Sequence, residues 1–463
     1  MPFLIFSIGV SHAVQMGNAW RHEVAVRGAA PLPAARTALA RLLVPGSVAL
    51  VTDVLGFLVI LHIKIAIVRE LGITASLGLA VMILTNMLLL PVLLSYSRLS
   101  PAALERSRRQ ERRGERLWAW LTQAARPRPA AAIILIAAAI AAAGLYQARH
   151  LRTGDLGEGI PELHADSRYN RDVAAITHAF SIGVDVLAVI AQTGIPGACT
   201  QFEIMDAIDR FEWRMRQVEG VHSVLALPGV ARVIASGWNE GSLKWRALSR
   251  DPTVLAQSVT PVDTASGLLN TDCSAMQVML FMHDHEGATI ARVVEEIKNF
   301  QRKHDSDKLR FRLAAGNVGV MAATNEAVDA AQVGMLASVF GAIALLCLIT
   351  FRSWRGMLCI MIPLALSSIL CQALMALLDI GLKISTLPVI ALGVGIGVDY
   401  GIYLYERLHA NLARGRTPVA AFHEALRSRG TAVLFTAATM TVGVGSWAFS
   451  TLKFQADMGL LLA

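Results

Sequence analysis

The sequence predicts a mainly α-helical polytopic membrane protein with a parallel internal repeat and an inserted α+β domain of ferredoxin-like type. Three observations carry that class. Of 463 residues, 54% are hydrophobic and only 16% charged, with a mean hydropathy of +0.52, a balance that places the chain among membrane proteins. Apolar runs near the ~20 residues needed to cross a bilayer fill both ends of the chain, whereas 149–331 shows only short ones. Two segments almost four hundred residues apart also repeat each other's motifs in order.

In chain order, the run that begins at Met1 is apolar from its first residues and lacks the charged start and cleavage site of a signal peptide. It reads as a membrane helix, with Ser11 and His12 inside it. Residues 17–45, with Arg21, Arg27, Arg36 and Arg41, read as a basic amphipathic connection at the cytoplasmic surface. Spans at 46–62 and 73–97 complete a first block, 1–97, and the former holds a second intramembrane acid, Asp53. Residues 98–128 form a linker with nine arginines against three glutamates, which fixes its side as cytoplasmic by the positive-inside rule. An alanine-rich span, 129–148, then returns the chain.

Within 149–331 the pattern changes to alternating strands and helices. Helices are expected at 166–180, 202–218 and 289–302, and strands at 183–192, 221–225, 275–282 and 309–314, the order of split βαβ units. Trp213, Trp238 and Trp245 read as core residues in preference to a substrate-lining surface. The last block, 332–463, holds spans at 332–351, 356–378, 386–406 and 431–450, with arginines again between them, and a further apolar run at its end.

The net charge of +8 does not imply nucleic acid, because the basic residues sit between apolar spans and no nucleic-acid motif accompanies them. Cys347, Cys359 and Cys371 lie in spans as small core residues. Cys199 and Cys273 fall in the hydrophilic region, where pairing depends on an extracytoplasmic location that spacing alone does not establish. With no nucleophile–base set, metal-ligand spacing or phosphate loop, neither an enzyme, a metal nor a cofactor is expected.

The whole is organised around 387–406. Asp399, followed by Tyr400, is a carboxylate in a helix otherwise fit for lipid, where a charge costs roughly 2.5–3.5 kcal/mol on insertion scales. It is therefore expected to titrate. Gly393, Gly397 and Gly401 recur every fourth residue as a stripe for close helix approach. Asp399 lies about 200° round the helix from Gly397. Gly9-Val-Ser-His-Ala-Val-Gln15 aligns with 397–403, Pro31 with Pro418, and Thr52 and Gly56 with Thr439 and Gly443. If the two repeats face each other, His12 approaches Asp399, Ser11 approaches Tyr400, and Asp53 joins from the next helix. Gly9 and Ala13 are then expected to let the two central helices pack closely. An Asp/His pair suits a proton relay, because modest changes in surroundings move an imidazole's proton.

The stretch Gly-Val-Gly-Ile-Gly-Val-Asp-Tyr-Gly-Ile-Tyr-Leu (393–404) resembles the tenth-helix motif of the resistance-nodulation-division (RND) superfamily. The closest likeness is to its branch of predicted exporters akin to mycobacterial large membrane proteins (MMPL) and hopanoid transporters. Ile8-Gly-Val-Ser-His-Ala-Val-Gln15 resembles the matching fourth-helix motif, and 314–325 the entry to helix eight. The resemblance implies proton-driven export of hydrophobic or amphiphilic, lipid-like molecules across a bacterial inner membrane, with periplasmic porter domains. Membrane lipids and the cargo are the partners it implies, with a second copy or a periplasmic accessory protein besides. Carried over, the chain starts at family helix four and stops as helix twelve begins, so a piece of a longer exporter is expected. Ser11-His12 stands where relatives with a fuller relay carry Asp-Tyr. The rival expectation is a non-transporting lipid- or sterol-sensing protein on the same helical core, or a non-functional remnant.

Overall fold

Two units divide the chain: Met1–Leu151 with Ala327–Ala463, and Arg152–Glu326. The computed structural model describes residues 2–63, 65–157, 159–180 and 183–463, so Met1 of the first apolar run lies outside the described residues.

The first unit begins with α1 (Pro2–Ala25) and α2 (Pro31–Val59). The expected surface connection at 17–45 is instead the polar end of α1, a short turn, and the first half of α2. Pro31 starts α2 because its fixed φ and missing N–H suit a first helical position, and buried Ala34, Ala35, Ala38 and Leu42 carry the helix onward. Pro45 lies inside α2 without ending it, as membrane helices tolerate where neighbours pack. Next come α3 (Ala66–Leu84) and α4 (Leu90–Tyr96), joined by a π-turn at Thr85–Leu89. Pro91 is its cause, since the ring would clash with the carbonyl four residues back in a regular helix. The arginine-rich linker is a helix, α5 (Pro101–Thr122), capped by Ser100, whose Oγ accepts from the Ala103 N–H at 3.2 Å. α6 (Pro127–Ala148) follows.

The second unit runs α7 (Arg168–Ala179), β1 (Val186–Gln192), α8 (Phe202–Met215), β2 (Val221–Leu225), α9 (Leu227–Trp238), α10 (Pro252–Val259), β3 (Ala275–Met282), α11 (Gly287–His304) and β4 (Arg310–Ala315). The sheet order is β2-β3-β1-β4, with antiparallel pairs throughout. Two interleaved βαβ units, β1-α8-β2 and β3-α11-β4, give that order, which is the split arrangement the sequence pattern indicates. Ile204, Ile208, Phe211 and Met215 of α8 and Ile290, Val293, Ile297 and Phe300 of α11 are buried in one core. At its centre the Phe211 ring lies 5.0 Å from that of Phe300 and 4.8 Å from that of Phe311. Cys199 and Cys273 form a disulfide with Cα atoms 5.6 Å apart. The three tryptophans are not core residues: Trp213, Trp238 and Trp245 are 66%, 71% and 55% exposed. Trp213 follows Phe211 by two positions, about 200° round the helix, so the face that buries Phe211 turns it outward.

The chain then continues through α12 (Asn317–Phe351), α13 (Trp354–Leu377), α14 (Leu387–Ala413), α15 (Pro418–Ala425), a π-turn (Leu426–Gly430), α16 (Thr431–Gly445) and α17 (Lys453–Leu462). Among the described residues seven helices are long and apolar enough to cross a membrane. α1 falls short of that measure because Asn18, Arg21, His22 and Glu23 crowd its last turns, yet Ile8, His12 and Met16 are buried. Pro31 and Pro418 both open a helix, as the repeat alignment requires. The packing follows the repeat too: α1 lies along α16, and α14 along α2, so each block's first helix crosses onto the other's second.

Candidate functional site: a buried His-Asp-Asp-Tyr cluster

Two stripes of period four run along α14 on roughly opposite faces. Gly397 and Gly401 face α13, where an added Cβ would meet Leu364 at 3.1 Å and Ile360 at 3.2 Å, respectively. Gly395, Asp399 and Tyr403 form the other stripe, turned towards α2 and α1. A Cβ on Gly56 of α2 would lie 3.8 Å from the Gly395 Cα, and one on Gly46 would meet Met87 at 2.8 Å and the Tyr403 hydroxyl at 3.4 Å. Glycine at these positions lets α2 and α14 approach while leaving room for the phenol.

Four side chains converge in that space. His12 Nε2 lies 3.2 Å from Asp399 Oδ2 and 3.5 Å from Asp53 Oδ2. On the other side of the ring, His12 Nδ1 and the Tyr403 hydroxyl share a hydrogen bond at 2.9 Å. His12, Asp53, Asp399 and Tyr403 are all buried, none more than 4% exposed. Despite its proximity to both carboxylates, Nε2 makes hydrogen-bond geometry with neither, and Asp53 Oδ2 and Asp399 Oδ1 also have no hydrogen-bond partner. In the tautomer where Tyr403 donates to Nδ1, Nε2 would carry the ring's proton, and Nε2 faces the two acids.

The sequence expectations fare unevenly. His12, Asp53 and Asp399 are brought together. Tyr400 is not part of the group: it lines an apolar cavity of about 450 Å³ between α13 and α14, beside Ile360, Leu364 and Leu404. Ser11 is half-buried and forms no hydrogen bond with Tyr400. Close approach of α1 to α14 through Gly9 and Ala13 does not occur. Gly9 faces α3, where an added Cβ would meet the Met82 side chain at 2.8 Å, and Asn86 Nδ2 donates to the Gly9 carbonyl at 3.3 Å. The two helices meet through the His12 side chain instead, because Gly397 and Gly401 are committed to α13. Gly393 is exposed, with nothing within 4 Å of an added Cβ.

Tyr403, Gly395 and Gly46 were missed, and Gly56, singled out only in the repeat alignment, was not expected to pack against α14. Their signal was spacing, since 395 and 403 flank Asp399 at four residues on either side and so share its face. The three donors His12, Asp53 and Asp399 place ligating atoms within 4.8 Å of one another, which is also a geometry for a cation. Linear spacing gave no hint of it because the donors come from three helices.

A family model described as the MMPL family matches residues 203–463, a segment that includes Asp399 and Tyr403 but neither His12 nor Asp53. The chain belongs to the MMPL family. It is also 31% identical over 121 residues to "Putative membrane protein MJ1562" of Methanocaldococcus jannaschii, covering 26% of this chain. The match spans 31% of that archaeal protein's length. Seven candidate spans and membership of the MMPL family make this a multi-pass membrane protein.

Proposed function

We propose that this MMPL-family chain couples proton movement to export of hydrophobic or amphiphilic, lipid-like molecules across a bacterial inner membrane, and that it is a transporter and not an enzyme. The observation that carries the reading is the enclosure of His12, Asp53, Asp399 and Tyr403 between helices of both repeats. Holding two acids in a membrane bundle costs several kcal/mol, roughly 2.5–3.5 for each ionised carboxylate on insertion scales, which helix packing alone does not require. A site contributed by two repeats changes its proton contacts when the repeats rock, as secondary transporters place their coupling sites. One proton crossing 100 mV supplies about 2.3 kcal/mol, enough to bias such an equilibrium by tens of fold. Membrane lipids and the cargo are its proposed partners, with a second copy or a periplasmic accessory protein besides.

The test is transport into sealed vesicles of a fluorescent amphiphile under an imposed pH gradient. The reading expects uptake that collapses with a protonophore, persists when sodium is replaced by choline, and is lost in Asp399→Asn. Dependence on sodium in place of the pH gradient would make the three-donor cluster a cation site and overturn proton coupling. The apolar cavity beside Tyr400 favours a second reading, a lipid-sensing protein that moves no cargo. Saturable lipid binding with no gradient-driven transport would select it.

A further inference from the structure

Buried polar atoms without a hydrogen-bond partner gather at one place in the bundle. Besides His12 Nε2, Asp53 Oδ2 and Asp399 Oδ1, both amide atoms of Gln15 are buried and form no hydrogen bond among the described residues. Gln15 is 1% exposed. It follows His12 by three positions on α1, so the two side chains are neighbours on the helix surface. Helical side chains slant towards the N-terminus, and a long one covers the turn before its own Cα. The Gln15 amide therefore lies over the turn that holds Ser11 and His12. A buried amide with neither donor nor acceptor engaged costs stability, and an apolar side chain of the same length would avoid that cost. Polar groups inside membrane bundles face one another or water, and a buried water serves about two to four such groups.

The cluster is bounded differently on its two sides. Towards the end of the bundle where the arginine-rich α5 packs, the stripe of α1 that carries Gln15 continues through Asn18 and His22, both polar and only partly buried. Seven residues before Gln15 the same stripe holds Ile8. Beyond the cluster on that side, Ile8, Phe57, Ile60, Ile390 and Leu392 are no more than 2% exposed and belong to one apolar core. The three helices agree in this order. Ile8 precedes His12 on α1, and Ile390 and Leu392 precede Asp399 on α14. α2 runs the opposite way, with Gly56 beside Gly395 and Gly46 beside Tyr403, so Phe57 and Ile60 follow Asp53. The described residues thus offer water polar partners towards the arginine-rich end and an apolar layer beyond the cluster.

We propose that Gln15 holds water against the cluster and is the positioning residue through which His12 exchanges protons with the arginine-rich end of the bundle. This role rests on the proton-coupling reading above, and two readouts separate them. Solvent access to the imidazole is read by mass spectrometry as deuterium incorporation at Cε1 of His12, in protein held in lipid nanodiscs. Gln15→Met keeps the length of the side chain and removes both polar atoms. It should slow incorporation at His12 about fivefold, the order of one hydrogen bond, without lowering the melting temperature. Asn18→Leu, one turn nearer the arginine-rich end, should slow it too. Gln15→Asn, which keeps an amide, and Ile8→Val, on the apolar side, should leave it near the wild-type rate. Proton flux into sealed vesicles under an imposed pH gradient should fall together with incorporation in Gln15→Met. Slower incorporation with wild-type proton flux upholds the water path and contradicts proton coupling at the cluster. Incorporation unchanged in Gln15→Met, or raised by Ile8→Val and indifferent to Asn18→Leu, in protein that keeps its wild-type melting transition, overturns the proposal.

Discussion

His12 is held by one neutral partner and two acids, and each contact has its own expected consequence. Tyr403→Phe removes the hydroxyl 2.9 Å from Nδ1 without changing the ring that fills the space. Coupled transport should fall up to about tenfold, the order of one neutral hydrogen bond, with the melting temperature little changed. His12→Ala should be more harmful but incomplete, because Tyr403 would still lie within the cluster to pass a proton. Away from the membrane, a second histidine carries a pH dependence. Burial pulls the His285 imidazole down, but its hydrogen bond to Asp185 and the charges of Asp185 and Asp155 outweigh that, so its pKa lies above the usual value near 6.5. His285 Nδ1 is 3.1 Å from Asp185, which also accepts from Asn317 Nδ2 at 3.3 Å. The sign follows from linkage: the pair's stabilisation is full below the unfolded value and fades as pH rises through the folded one. Hydrogen-exchange protection of the Val186 amide, which donates to Asn317 Oδ1, should therefore exceed that of Asp185→Asn most in mild acid, and the difference should shrink above neutrality.

At the scale of the helix, α14 works because its two faces hold different glycines. Gly395→Leu should force α2 and α14 apart and destabilise the bundle by at least about 1–3 kcal/mol, the usual cost of overpacking, whereas Gly393→Leu should be tolerated where nothing opposes it. Comparing the thermal unfolding of the two variants in detergent checks this. The pair also shows what the sequence could tell. The 393/397/401 stripe was legible because three glycines at equal spacing stand out, and two of them, Gly397 and Gly401, do pack a helix. That its partner is α13, not α1, was not legible, because a stripe of small residues carries no record of which neighbour fills it. Asp399 and Asp53 stood out as charges in apolar runs, and His12 through the repeat. Tyr403 did not, because an aromatic residue near a helix end reads as packing until a partner is seen. Residues 17–45 were misread for a related reason: charge at the ends of two long helices looks, in one dimension, like a separate amphipathic segment. The split βαβ order was readable because strand and helix periods alternate cleanly there.

At the scale of the molecule, arginine distribution and the Cys199–Cys273 disulfide support one topology, since disulfides persist in oxidising compartments and arginine-rich loops stay inside. Cysteines introduced at 109 and 240 should differ in labelling from outside intact cells, with 240 reactive and 109 protected; equal reactivity contradicts the topology. Reduction of the disulfide should cost the sheet-containing unit about 2–5 kcal/mol, read as lost protease resistance, without altering the helical bundle. The central claim, that the cluster joining both repeats is where protons are coupled to cargo, is tested most directly by measuring proton flux and amphiphile flux together in sealed vesicles of wild type and Asp399→Asn. Asn keeps the shape of the side chain and cannot carry the proton, so the variant should insert and fold as the wild type does. The account predicts that proton flux rises with cargo in the wild type and that both fall to the level of empty vesicles in the variant. Wild-type rates of both fluxes in Asp399→Asn, with the pH gradient still required, would contradict it.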